Sequence, residues 1–367
     1  MKRIAIKEVC EVYDGPHATP KKTDNGPVYL GIDAITEDGM LDPSQFAHLS
    51  EEDYVKWTKR VTPQENDIVF SYEATLGRYA VIPKNFYGCL GRRLAIVRII
   101  NDELNAKWLY YYFRSPEWTS FIKNQTVKGS TVDRISIEEF PEYTIPVISL
   151  EDQNKIVDVL DKIDRKIADN KKINDYLEQQ ALLIFRYMFK NISNGSNHVG
   201  DYITPKRGKA LLSKDAIPGQ FPVIAGGLLP ATYHNRANTV APVLTISGSG
   251  ANAGYVNIWH DPIWSSDSSF IDYEMTTNVY FWYAFLKLRQ QDIFDIQTGS
   301  AQLHIYPKHI AELSIGNIDR FQIASYITQV TPLFTKAGAN IRETKRLQQL
   351  RDWLLPMLMN GQVTIED

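Results

Sequence analysis

One phrase occurs twice in this chain, 170 positions apart, and each time it leads into a long helical pattern. The first copy is "VKGSTVDRISIEEFPEYTIPVISLEDQNKIVDVL" (127–160) and the second begins "IQTGSAQLHIYPKHI" (296–310). Gly129-Ser130 matches Gly299-Ser300, Ile135 matches Ile305, and Ile145 matches Ile315. A period this long is far beyond any solenoid repeat, so it means two copies of a domain followed by a helix. The globular parts support the duplication. "NDIVFSYEATLGRYAVIP" (66–83) and "APVLTISGSGANAGYVNIW" (241–259) both read as apolar strand, glycine-bearing turn and apolar strand. "LNAKWLYYYFRS" (104–115) and "TTNVYFWYAFLK" (276–287) are aromatic-rich helices in matching places. Their aromatic residues Trp108, Tyr110 and Trp282 read as core.

The helical tails carry a coiled-coil seam. Ile156, Leu160, Ile163, Ile167, Asn170, Asn174, Leu177, Ala181, Ile184 and Met188 alternate by steps of four and three. Adding 170 gives Tyr326, Val330, Leu333, Ala337, Asn340, Thr344, Leu347, Arg351, Leu354 and Leu358, apolar at most of the same places. Ser149 with Asp152 three residues on is a capping signature for the first helix. Pro332 is expected to kink or divide the second. The central polar layers leave two pairings. Antiparallel packing joins Asn170 to Thr344 and Asn174 to Asn340, whereas parallel packing joins Asn170 to Asn340. Closed two-fold pairing of two similar halves selects the antiparallel arrangement. The expectation is a rod roughly 50 Å long, at about 1.5 Å per residue, with a globular domain at each end.

A chain of 367 residues with 44% hydrophobic and 23% charged residues has the composition of a globular protein with two or three domains. Its net charge of −3 comes from 40 basic and 43 acidic residues, and no segment is strongly basic. Any nucleic-acid contact is therefore expected as a local patch or one completed by a partner. Two cysteines, Cys10 and Cys89, make neither a disulfide framework nor a four-ligand zinc site, which fits a reducing cytoplasm. The N-terminus shows no signal segment, and the longest apolar run, 279–288, is too short to cross a bilayer.

Catalytic patterns are missing. There is no phosphate loop of the G-x-x-x-x-G-K-[ST] type and no H-E-x-x-H pair. "ISGSGANAG" (246–254) departs from dinucleotide spacing and runs into a strand, where phosphate binding needs a helix N-terminus. His198, His234, His260, His304 and His309 lack metal-ligand spacing and read as surface or satisfied histidines. No catalytic residue and no metal ligand is assigned. The Asn-Pro-Pro-aromatic tetrapeptide that amino-methyltransferases place around a target amine is also missing.

These features resemble the specificity (S) subunit of Type I restriction–modification systems. The resemblance rests on 128–164, on 298–327 and on the terminal "RLQQLRDWLLPMLMNG" (346–361). The second copy departs from the frame, with Gly316-Asn317 in place of Pro146-Val147. The resemblance implies an α+β fold with two target-recognition domains related by a pseudo-two-fold, separated by two long antiparallel helices. The expected boundaries are 1–148 and 197–315 for the recognition domains, and 149–196 and 316–367 for the conserved spacer helices. It also implies a non-catalytic reader of double-stranded DNA, each domain reading half of a bipartite, asymmetric site. The helices would set the gap and dock two methyltransferase (M) subunits. Methylation at adenine N6 would use S-adenosylmethionine held by M, with ATP and Mg belonging to added restriction (R) subunits. No cofactor is expected on this chain, and a cytoplasmic location is implied.

The DNA contacts follow by loop position and residue type. In the first domain they are Lys21, Lys22, Tyr72, Thr75, Arg78, Arg92, Arg93, Lys128 and Ser130. In the second they are Lys206, Arg207, Lys209, Ser247, Ser249, Asn252, Ser300 and Gln302. Lysine and arginine grip phosphate, while arginine and amide side chains can read base edges. A solvated surface is the plain alternative for each charged residue, and a turn-shaping role is the plain alternative for the glycine-serine pairs. Two other readings stay open: a coiled-coil adaptor with two protein-binding domains, and a stand-alone DNA methyltransferase or nuclease.

Overall fold

The computed structural model describes residues 2–128, 132–363 and 365. The chain forms two compact units, Met1–Arg165 with Leu347–Asp367, and Lys166–Arg346. The first holds strands β1 (Lys2–Ala5), β2 (Cys10–Asp14), β3 (Thr23–Leu30), β4 (Ala47–His48), β5 (Ile68–Ser71), β6 (Tyr79–Val81), β7 (Gly88–Leu90), β8 (Leu94–Ile99) and β9 (Thr144–Val147). Its helices are α1 (Glu51–Trp57), α2 (Ala106–Phe113) and α3 (Pro116–Gln125), followed by the first part of the long α4 (Leu150–Met188). The second unit holds β10 (Asn197–His198), β11 (Lys206–Arg207), β12 (Phe221–Ile224), β13 (Thr232–His234), β14 (Val243–Ser247), β15 (Val256–Trp259), β16 (Trp264–Ser265), β17 (Ser268–Asp272) and β18 (Ser314–Ile315). Helices α5 (Val279–Leu288), α6 (Gln290–Asp295) and α7 (Pro307–Ala311) accompany them, before the long α8 (Arg320–Met359).

The sheets are duplicated strand for strand. The first unit has the orders β2-β8-β5-β6, β4-β3-β7 and β1-β9; the second has β11-β17-β14-β15, β13-β12-β16 and β10-β18. Even the mixed strand directions recur, since β3 pairs parallel to β7 and β12 parallel to β16. Both central strands, β5 and β14, are buried along their whole length, as strands packed on both faces must be. The repeated phrase supplies the closing contacts. Ile6 donates its amide to the Tyr143 carbonyl at 2.9 Å, and Val199 donates to Leu313, 170 positions later, also at 2.9 Å. The Gly316-Asn317 replacement shortens the partner strand: β18 has two residues where β9 has four.

Each unit buries its own core. In the first, the aromatic helix α2 packs Trp108, Tyr112 and Phe113 against Ile156 and Leu160 of α4 and Leu355 and Leu358 of α8. In the second, Phe281 and Tyr283 of α5 pack with Phe185 of α4, Phe189 just beyond its end, and Tyr326 and Val330 of α8. Trp108, Tyr110 and Trp282 are buried, as their sequence setting suggests.

The long helices pair antiparallel in both units. In the second, Asn170 donates to Thr344 Oγ1 at 3.4 Å and to Glu343 at 2.9 Å, while Asn340 donates to Asn174 Oδ1 at 2.9 Å. In the first, Arg351 donates to Asp164 at 2.8 Å. Seam residues Ile156, Leu160, Ile163, Ile167, Asn170 and Val330 are buried; Asn174, Leu177, Leu333, Thr344, Leu347 and Leu354 are partly so. Towards the end of α4 the buried stripe passes to Ala181, Phe185 and Phe189, in steps of four, leaving Ile184 and Met188 half-buried. Ser149 caps α4, accepting the Asp152 amide at 3.1 Å.

Of the two outcomes expected at Pro332, a kink or a division, the division does not occur. Helix α8 continues through Pro332 without division. Pro332 lies on the exposed side of the helix, and the preceding Thr331 hydroxyl bonds the Ile327 carbonyl at 2.6 Å.

A histidine reading also fails. His260, in the β15–β16 turn, buries its Nδ1 without a partner among the described residues. It lies against α8, its ring 6.1 Å from Phe334, and its Cβ would be 2.8 Å from any Cβ added to Gly338. Beside it Arg342 donates to Asp261 at 2.9 Å. Burial lowers the His260 pKa to about 4, below an unfolded value of about 6.5. Between those values the unfolded chain binds a proton that the folded chain refuses. The contribution to stability is therefore complete above pH 6.5 and lost as pH falls towards 4. A His260→Phe variant is expected to lose less stability than the parent between pH 6.5 and 4 in urea unfolding; parallel losses would refute this.

Candidate nucleic-acid interface

In each unit the central strand ends in a loop held by the same three backbone bonds. In the first, the Tyr72 amide donates to the Arg93 carbonyl at 3.2 Å, and Ile135 donates to the Tyr72 carbonyl at 2.8 Å. In the second, Gly248 donates to Asp267 at 3.0 Å and Ile305 to Gly248 at 3.1 Å. The third bond is the bridge formed by the residue just before each isoleucine: Arg134 pairs with Glu73 and Val127, and His304 pairs with Ser249 and Thr298. The repeated phrase is thus the strap that ties each loop to its sheet. Its glycine-serine pair in the first copy, with the contact expected of Ser130, lies outside the described residues.

The first loop gathers charge of both signs. Arg93 has a φ of 70°, and its guanidinium is 3.2 Å from Glu73. From the end of β2, Asp14 pairs with Arg60 and sits 3.1 Å from His17. Between them Tyr72 is buried, its hydroxyl has no partner among the described residues, and its pKa is raised by burial and by the charges of Asp14 and Glu73. Arg78, at the loop's other end, donates to the Ile35 carbonyl at 3.1 Å and lies 3.6 Å from Glu37. Arg92 is exposed, and its amide is held by the Tyr29 hydroxyl at 3.1 Å. Thr75 is exposed and its carbonyl accepts from Ser71. Lys21, Lys22 and Lys128 are exposed, with no hydrogen bond or ion pair drawing them into this cluster among the described residues.

The second loop centres on Asp267, which pairs with Arg207 from β11 and accepts from the Ser249 hydroxyl. Ser247 is buried and donates to the Gly226 carbonyl at 2.8 Å. The turn closes through Gly250 and Gly254, with φ of 82° and 86°, where a side chain would be strained. Gly250 donates to Leu303 at 3.0 Å, so the 298–304 segment carrying Ser300 and Gln302 lies alongside. Ser300 and Gln302 are exposed; Asn252 is half-buried and accepts the Tyr255 amide through its carbonyl at 2.9 Å. Lys206 is exposed beside Arg207. Lys209 is exposed too, its carbonyl taking the Trp264 indole at 2.8 Å.

The structure therefore brings Arg207, Ser247 and Ser249 together, and likewise Tyr72, Arg93 and the 73–78 loop. Residues not foreseen are the carboxylates Asp14, Glu73 and Asp267, which hold the arginines, and the straps Arg134 and His304. Arg134 and His304 stand one residue before the repeated isoleucines, so the 170-residue period points at them directly. Among the described residues no cluster of three or more His, Cys, Asp or Glu side chains could hold a metal ion. No helix among them is long and apolar enough to cross a membrane.

Comparison with known proteins shows what this chain is similar to. Residues 1–179 match the model of the Type I restriction modification DNA specificity domain. Those residues, just under half of the chain, are thus similar to the Type I DNA specificity domain. The MjaIX Type I restriction enzyme specificity subunit of Methanocaldococcus jannaschii is 28% identical over 142 residues, 39% of this chain and 32% of that protein. A putative Type I restriction enzyme specificity subunit of Haemophilus influenzae is 28% identical over 123 residues, 32% of this chain and 29% of its own. The chain thus aligns with about a third of the length of these curated relatives. The crystal structure of the Type I system S subunit of M. genitalium shares the fold over 97% of this chain and 95% of its own, with a TM-score of 0.57 at 18% identity. Although the family match stops at residue 179, the second unit repeats the strand order and the strap bonds of the first.

Gly248 has a steric role of its own. A Cβ there would stand 2.2 Å from the Arg207 guanidinium and 2.8 Å from the Asp267 carbonyl. Gly248→Ala is expected to lower stability by about 1–3 kcal/mol through overpacking. Adding Arg207→Ala should recover part of that loss, and additive effects in a double-mutant cycle by urea unfolding would contradict the contact.

Proposed function

We propose that this chain is the DNA sequence-specificity subunit of a Type I restriction–modification complex. Each unit reads one half of a bipartite site in double-stranded DNA through its strapped loop. The long helices set the unread gap and dock two M subunits. The observation that carries this reading is the pair of identically tied loops, one in a unit that matches the DNA specificity domain and the other in its topological copy. A loop braced by backbone bonds and presenting guanidinium, hydroxyl and amide groups can grip phosphate and reach base edges. Two unlike loops on one repeated frame suit two unlike half-sites.

The division of labour follows from what the loops carry. Their arginines are paired with carboxylates, which orients them but leaves little net positive charge. Much of the phosphate attraction then falls to partner subunits. The methyl donor S-adenosylmethionine would be bound by M, and ATP with Mg by R subunits where these join. The subunit itself supplies address and scaffold. A surface suited to docking exists on α4, where Ile173, Tyr176, Leu183 and Tyr187 are exposed at helical spacing.

The deciding measurement is a map of methylated adenines in host DNA with and without this gene, together with a footprint of the chain assembled with its methyltransferase. A methylated, protected bipartite motif that vanishes with the gene is expected. Methyl transfer by the purified chain alone would overturn the reading, and so would the lack of a protected site.

Lys206 gives a finer test, being exposed beside the paired Arg207. Lys206→Glu is expected to weaken binding similarly for all sequences and to flatten the dependence of log affinity on log salt by about 1. An unchanged slope would remove Lys206 from the phosphate contacts.

A further inference from the structure

Within the first unit a continuous polar chain runs from the helix pair to the reading loop. It starts at Arg351 of α8, 8% exposed, which donates to Asp164 of α4 at 2.8 Å. The other Asp164 oxygen accepts the Tyr111 hydroxyl at 2.9 Å and lies 3.8 Å from the Arg114 guanidinium. Arg114 donates to the Tyr110 hydroxyl at 2.7 Å, and that hydroxyl donates to the Gly39 carbonyl at 2.7 Å. Gly39, with a φ of 82°, sits in a tight turn closed by Gly39 to Thr36 and Thr36 to Met40 bonds. A Cβ on Gly39 would be 2.3 Å from the Tyr110 hydroxyl and 2.8 Å from the Arg114 guanidinium, so only glycine admits this approach. The far side of the turn holds Arg78 through the Ile35 carbonyl and Glu37.

The second unit provides an internal comparison. At the positions 170 away, Asp164 is replaced by Phe334 and Arg351 by Ala181, both buried. Phe334 stacks on Tyr280 of α5 at 4.3 Å and meets Tyr283 edge-on at 5.9 Å. There the aromatic helix meets the helix pair through these rings and through a bond from the Tyr283 hydroxyl to Glu178 of α4, without the arginines that the first unit uses. A buried arginine–carboxylate network is therefore no general requirement of the fold, and its occurrence in one copy asks for another reason.

We propose that Arg351, Asp164, Arg114 and Tyr110 form a positioning device that fixes the 35–42 turn, and through it Arg78, for the half-site read by the first unit. This rests on the DNA-reading function proposed above. None of the four touches DNA; each acts through the next, and all act through the Gly39 carbonyl. Hydrogen bonds to charged groups in a dry setting hold geometry more tightly than apolar packing, which tolerates sliding. The device makes the first reading loop answer to the state of the helix pair.

The test uses the full chain assembled with its methyltransferase and duplexes carrying the mapped site, with base changes in either half. Tyr110→Phe and Asp164→Asn keep side-chain size, and urea unfolding confirms that they fold. Both are expected to cut discrimination at the first half-site about tenfold, in line with the loss of one bond to a charged group, while discrimination at the second half-site stays unchanged. The salt slope should also stay unchanged, because no phosphate contact is lost. Arg351→Lys should restore much of what Arg351→Met loses. Equal losses at both half-sites, no loss at the first, or a flattened salt slope would overturn the proposal while leaving the DNA-reading function intact. A parent complex that protects no bipartite site would overturn both.

Discussion

The amide of Ile135 donating to Tyr72, and its copy from Ile305 to Gly248, is the bond on which each unit's strapped loop depends. A strand that leaves a sheet has unpaired backbone groups, and a loop built from it would wander unless something satisfies them. The repeated phrase does so from outside the sheet. It brings a buried isoleucine under the loop and a bridging residue alongside. The loop tip is then free to vary in sequence, because the strap bonds are made by backbone. Tyr72 and Gly248 occupy the same place with side chains that share nothing, and the same two amide bonds form.

That separation of frame from content accounts for the charge pattern. Arg93 with Glu73, and Arg207 with Asp267, are arginine–carboxylate pairs built from different positions on one frame. A guanidinium held by a carboxylate has fewer conformations to lose when it meets a target, though it also offers less net attraction. Selectivity gains from this arrangement more than raw affinity does, which suits a chain with a net charge of −3.

Much of this was legible in the sequence because it rests on period. The 170-residue offset located both straps, both aromatic helices and both seams. The polar layers paired as the antiparallel alternative required, Asn170 with Thr344 and Asn174 with Asn340. What escaped depends on contacts that no period records. Asp267 corresponds to Arg93 through its strand pairing, yet the two stand 174 positions apart, because connecting segments between the strands differ in length. Pro332 reads as a helix breaker, but an exposed proline on a long packed helix costs one backbone hydrogen bond rather than the helix. Asp164 flanks the seam instead of lying in it, and besides Arg351 it is bonded by Tyr111 of α2, more than fifty positions earlier. The buried Nδ1 of His260 was equally invisible, since only the closeness allowed by Gly338 creates it.

The ion pair between Asp164 and Arg351 has a second consequence for a duplicated chain. Two similar helices could in principle pair with their own kind. In the observed register, α4 against another α4 would set Asp164 near Ala181, and α8 against another α8 would set Arg351 near Phe334. Each self-pairing would bury a charge twice over with nothing opposite it, and an uncompensated buried charge costs about 3–5 kcal/mol. Only α4 with α8 brings the carboxylate and the guanidinium together, at 2.8 Å. The apolar seam alone would accept all three pairings, because Ile163 and Leu333 are similar in shape. The central asparagines fix direction and register but recur in both helices, so they discriminate weakly between partners. One off-seam carboxylate, answered by one arginine from the other helix, is what makes the two copies unlike enough to recognise each other.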